Sequence, residues 1–104
     1  MAVTVPQNWF LIQSDGHRVH INCAQFGPNN QDLFGSATTN GIFGTLQGRT
    51  QSDLLTFTIN WNNGAIGVYN GFRNFNGMVT GNCFDAAHPE TQAIWHSEVN
   101  MGIS

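Results

Sequence analysis

Apolar and polar residues alternate along much of this chain. In Leu55-Thr56-Phe57-Thr58-Ile59-Asn60-Trp61, the side chains of Leu55, Phe57, Ile59 and Trp61 fall on one side of an extended backbone and those of Thr56, Thr58 and Asn60 on the other. Val19, Ile21 and Cys23 alternate in the same way with Arg18, His20 and Asn22. A period of two describes a strand with one core face and one wet face, and no segment keeps a helical period for long. The pattern predicts eight strands, over residues 7–13, 17–23, 32–38, 42–49, 54–62, 65–71, 77–84 and 91–98.

Turn chemistry separates these runs. Asp15-Gly16, Asn40-Gly41, Asn63-Gly64 and Asn76-Gly77 supply the positive backbone angles that tight hairpins need. The other connections, 27–31, 50–53 and 85–90 with Pro89, read as short polar loops. Such loops leave no room for crossovers, so each strand pairs with the one before it in a meander. Closure removes the two edges an open sheet would expose, which predicts an all-β, antiparallel up-and-down barrel of about eight strands; a two-sheet sandwich is the alternative. Gly35, Gly44, Gly67 and Gly81 lie inside predicted strands, where glycine marks a bend or a close approach.

Length and charge narrow the functional classes. A chain of 104 residues without a linker-like stretch is expected to form a single domain over 1–104. Only 9% of residues are charged, Lys is absent, and Arg18, Arg49 and Arg73 are the only cations in a chain of formal net charge -3. That balance disfavours nucleic acid and anionic membrane surfaces, both of which call for clustered Lys and Arg. No apolar run approaches the length of a membrane span or a signal core, so the expectation is a soluble protein without membrane insertion, cytoplasmic or the mature form of a secreted one. Cys23 and Cys83 match no metal-ligand spacing, and two buried thiols are preferred over a disulfide.

No catalytic or metal-binding constellation emerges. His17 and His20 are three apart on an extended segment and point to opposite faces. Asp85, His88 and Ser97 contain the residue types of a nucleophilic triad, but no Gly-x-Ser-x-Gly turn accompanies them, and Asp85 reads as a turn residue bonding nearby backbone. The expectation is a protein that is not an enzyme and needs neither metal nor cofactor.

Trp9, Phe10, Trp61, Tyr69, Phe72, Phe75 and Trp95 are more rings than a small barrel core requires, and they sit among many amides and hydroxyls. Rings cover the C–H faces of sugars while polar groups take the hydroxyls, so the composition predicts a metal-independent lectin for a glycan or another neutral polar small ligand. The candidate contacts are Tyr69, Asn70, Arg73, Asp85, His88 and Trp95; Trp61 is assigned to the core because it shares a face with Leu55, Phe57 and Ile59. A working surface formed by a protein-partner interface is a third possibility.

The stretch from Phe57 onward resembles the second half of the avidin and streptavidin family, through Phe57-Thr58-Ile59-Asn60-Trp61, Val68-Tyr69-Asn70-Gly71 and Thr91-Gln92-Ala93-Ile94-Trp95. Upstream, Gly35-Ser36-Ala37-Thr38 is similar to the strand that leads into that family's ligand loop, whereas the family's opening Gly-x-Trp-Tyr-Asn segment is replaced by Asn8-Trp9-Phe10-Leu11-Ile12. The resemblance implies an eight-stranded barrel. It also implies an alternative function, a biotin-type small-molecule carrier with Ser36, Phe57, Tyr69 and Trp95 lining the barrel mouth. Ile66, Val68 and Phe72 form an apolar row on the strand whose other row holds Tyr69, which predicts a homo-oligomer.

Overall fold

The alternating runs pair in sequence order and close on themselves. A computed structural model describes residues 3–28, 31–74, 76–99 and 101–103. Eight strands form the barrel: β2 (Asn8–Gln13), β3 (Arg18–Phe26), β4 (Asp32–Thr39), β5 (Ile42–Gln51), β6 (Leu54–Trp61), β7 (Ile66–Arg73), β8 (Val79–Asp85) and β9 (His88–Ser97). Every neighbouring pair is antiparallel, and β9 returns to β2 through Leu11↔Ser97, Ile12↔His96 and Gln13↔Trp95. The sandwich alternative is thereby replaced by a closed up-and-down barrel. Two short strands outside the prediction, β1 (Val3–Thr4) and β10 (Gly102–Ile103), pair with each other. Among the described residues no helix is long and apolar enough to cross a membrane.

The turns behave as the dipeptides predict, in two ways. Asn40 and Gly41 both have positive φ, 49° and 80°, closing a two-residue hairpin between Thr39 and Ile42. Asp15-Gly16, Asn63-Gly64 and Asn76-Gly77 share a longer geometry, with the acidic or amide oxygen accepting from the backbone N–H two residues on: His17, Ala65 and Met78 at 3.1 Å each.

The expected loop over 85–90 is the main correction within the barrel. The turn shrinks to Ala86 and Ala87, pinned by Ala87 N–H donating to Asp85 Oδ1 at 2.9 Å, and β9 begins at His88. Pro89 is compatible with this strand because the register shifts between Cys83 and Asp85, where the ladder is interrupted and a missing N–H costs no bond.

The inward rows fill most of the lumen. Trp9, Leu11, Val19, Ile21, Leu46, Leu55, Phe57, Ile59, Tyr69 and Trp95 are buried there. Inward glycines make room for large rings and for curvature. A Cβ on Gly71 would lie 2.6 Å from Trp95 Cζ2, and one on Gly81 would overlap the Asn70 carbonyl oxygen and stand 2.5 Å from Gly71 Cα. Gly71 and Gly81 are cross-strand partners, and Gly81 is also paired with Trp95. The indole therefore lies where a side chain at Gly71 would stand, while Gly81 allows the β7 and β8 backbones to approach closely.

The ends of the barrel differ. At one end the β3–β4, β5–β6 and β7–β8 connections meet the terminal segments, where Val5 and Met101 are buried. Met101 N–H donates to Gly77 O at 2.8 Å and Arg73 Nε to Met101 O at 2.9 Å, which secures the plug. The β2–β3, β4–β5, β6–β7 and β8–β9 hairpins ring the other end, which stays open.

Candidate functional site

The open end holds a cup of about 330 Å³, walled in part by Gln13, Asp15 and His17 from the first barrel hairpin and by Trp61, Tyr69 and Asp85 from β6, β7 and β8. Its position follows from the side-chain alternation. Trp9, Leu11 and Gln13 share the inward face of β2, so the last of them reaches the lumen where the hydrophobic layers end. Gly67, inward on β7 near the mouth, keeps the space clear: a Cβ there would lie 2.8 Å from Tyr69 Cε1 and 3.4 Å from Trp61 Nε1.

Below the cup lies an aromatic floor. Tyr69 stacks on Phe57 with centroids 4.8 Å apart and planes 6° from parallel. Trp95 meets both edge-on, at 5.8 Å from Phe57 and 6.2 Å from Tyr69, and Trp9 closes the layer beneath. These geometries suit ring quadrupoles and leave little empty space under Tyr69.

A polar chain climbs from that floor to the rim. The Tyr69 hydroxyl donates to Gln13 Oε1 at 2.7 Å, and Gln13 Nε2 lies 3.2 Å from both carboxylate oxygens of Asp15. Asp15 Oδ1 also accepts from His17 N–H and lies 3.0 Å from His17 Nδ1. Partial burial pushes the Asp15 carboxyl up, but the hydrogen bonds from His17 and Gln13 outweigh it and hold Asp15 below its ordinary value of 3.8. Burial raises the Tyr69 phenol well above its ordinary range, with the nearby Cys83 and Asp15 charges adding to the effect. Cys83, on the cup wall, is pushed up to about 11, first by burial and then by Asp15. Cys23 and Cys83 are both buried free thiols.

The residues singled out from the sequence do not form one site. Tyr69 and Asp85 line the cup, and His88 stands beside Asp85, Nδ1 to Oδ2 at 3.8 Å, with most of its ring in solvent. Trp95 is buried one layer lower, its Nε1–H donating to Asn82 O at 3.0 Å. Asn70 is exposed on the outer wall, and Arg73 is at the plugged end with Met101 and Asp53. Of the four carrier residues, Phe57 and Trp95 lie beneath Tyr69, while Ser36 is exposed on the outer face opposite Asn22 and Thr45. Trp61, assigned to the core, packs against it only in part and lends its other side to the cup. Phe75 lies outside the described residues.

The three triad residue types are likewise apart. Ser97 is fully buried and its hydroxyl is engaged by backbone, accepting from Val79 N–H at 3.1 Å and donating to Val99 O at 2.8 Å, whereas Asp85 and His88 are at the open end. His17 stands at the mouth and His20 stacks on Phe10 outside the barrel, centroids 4.7 Å apart.

The sequence does not mark Gln13, Asp15 and His17 as neighbours in one cup, because Asp15-Gly16 is fully explained as a turn. One signal was available: Gln13 is a polar residue in register with the inward Trp9 and Leu11. No family model matches the chain, and neither a curated protein nor a solved structure matches it.

Proposed function

We propose that this protein binds a small polyhydroxylated ligand, a sugar unit or the terminal residue of a glycan, in the cup at the open end of the barrel, without chemical conversion of it. The observation that carries the reading is the polar chain from Tyr69 through Gln13 and Asp15 to His17, set opposite the half-buried Trp61 ring in one cup. An apolar ring face beside a few fixed polar groups is what a sugar requires: stacking for its C–H patch and directional partners for its hydroxyls. Hydrogen bonds within the first hairpin already fix Gln13, Asp15 and His17 relative to one another, which lowers the cost of ordering them on binding.

Titration of isotope-labelled protein with a monosaccharide panel tests the reading. The expected result is saturable shifts confined to backbone amides of the four mouth hairpins and lost in Trp61→Ala, whose fold is checked by its amide spectrum. A folded protein that gives no saturable shift with any sugar, and no glycan-array signal, removes the proposal.

An avidin-like carrier is the second reading, favoured by one feature: the cavity opens inside the barrel mouth, with Tyr69 at its floor. Retention on biotin-agarose with elution by free biotin would select it over the lectin. In either case we infer self-association through the wall of β6 and β7, where Leu54 and Phe72 are cross-strand partners, each about half exposed, and continue the outward row of Ile66 and Val68. Several cups on one assembly would strengthen weak single-site binding to a multivalent glycan.

A further inference from the structure

We infer that the group seated at the floor of the cup is a protonated amine, so that the preferred ligand is a sugar with a free amino group rather than its neutral counterpart. This deepens the binding reading above and rests on the cup being the site.

The first argument is an accounting of protons. An ionised carboxylate only accepts, so the contacts to Asp15 commit the NH2 edge of Gln13 to that side. The amide oxygen is then turned to Tyr69 and must receive the phenol proton, at 2.7 Å. Tyr69 is 4% exposed and has one proton, which is spent, so its oxygen has only acceptor capacity left for the cup. Asp85 adds a second carboxylate to the cup from the neighbouring β8–β9 hairpin. The innermost polar atoms thus ask for donors, and an ammonium group supplies three.

The second argument is charge. None of the cup-lining residues is Lys or Arg, and the three arginines are held elsewhere: Arg18 by Glu98 over the Phe10 ring, Arg49 near Asp32, and Arg73 at the plugged end. Among the described residues, His17 beside Asp15 and His88 beside Asp85 are the ring bases paired with the cup carboxylates. A neutral ligand that covered the mouth would strip water from two carboxylates and return only hydroxyl contacts, whereas a cation offsets that desolvation. The Trp61 ring, half-buried on the cup wall, adds an aromatic surface that attracts a cation.

The test compares glucosamine, N-acetylglucosamine and glucose as probes, by calorimetry or amide-shift titration at neutral pH. Glucosamine should bind about tenfold tighter than either neutral sugar. That preference should fall to about twofold or less in the double variant Asp15→Asn, Asp85→Asn. Asn keeps the oxygens that accept from His17 N–H and Ala87 N–H, so the turns survive, and the amide spectrum verifies the fold. Neutral sugars binding as tightly as glucosamine, or a preference untouched by the double variant, would overturn this inference and leave the sugar-binding reading standing. Failure of all three probes to bind the folded protein would overturn this inference, and the monosaccharide panel and glycan array then decide the sugar-binding reading.

Discussion

The hydroxyl of Tyr69 donates to Oε1 of Gln13 across 2.7 Å, although the two residues are 56 apart in sequence. The bond joins β7 to β2 over the open lumen and orients the amide that in turn holds Asp15. Tyr69→Phe should keep the stack on Phe57 and lose this bond. The expected cost is about 1 kcal/mol, seen as a lower denaturant midpoint at an unchanged slope. Ligand affinity should fall with it, and a variant matching the parent in both respects would mean that the bond neither supports the fold nor shapes the cup.

Gly81→Ala should be among the most harmful single-methyl additions to the barrel. Its Cβ would overlap the Asn70 carbonyl oxygen and press on Gly71 Cα, both backbone atoms that cannot rotate away. A loss of about 2 kcal/mol or more is expected, against a change within about 0.5 kcal/mol for the exposed Ser36→Ala. Thermal melts of the two variants decide the point.

Cys83 should resist alkylation in the native state. Burial, and secondarily the Asp15 carboxylate, pushes its thiol up to about 11, so at mildly alkaline pH it stays protonated and covered. Burial raises Cys23 as well. Mass spectrometry after iodoacetamide should show no adduct on the folded chain and two after denaturation; rapid native labelling of Cys83 would show that the cup wall opens.

Acid should loosen the mouth hairpin through Asp15. Its carboxyl is held below its unfolded value, so the stabilisation is present above that value and is lost as pH falls through the folded one. Glu98, lowered by its hydrogen bonds to Arg18, follows the same sign. Melting temperature should therefore decline below about pH 4, and less steeply in Asp15→Asn. An identical pH profile for the variant would count against the assignment.

Sedimentation should report a mass above that of one chain, and the paired change Leu54→Ser, Phe72→Ser should return it to one. These partners are 52% and 51% exposed, so the change removes outer apolar surface without touching the core. A parent that sediments as a single chain at high concentration would remove the proposed interface.

The sequence by itself determined the strand count of the barrel and its order, because both are local. Period-two rows declare which side of each strand is apolar, and Asp-Gly or Asn-Gly pairs declare where the chain reverses. Leu55, Phe57 and Ile59 are buried, as their alternation requires, and Asn40-Gly41 closes the hairpin its residue types predict. Tertiary structure alone decided which end is open, because Val5 and Met101 come from opposite ends of the chain to plug the other. It also decided the membership of the cup. Gln13, Trp61, Tyr69 and Asp85 come from four strands, and which of them meet depends on register and on the stagger that closes the barrel. Periodicity along one strand states only whether a residue faces inward, not how deep it sits, so Trp95 and Tyr69 read alike in sequence yet Tyr69 reaches the floor of the cup and Trp95 is buried a layer below it.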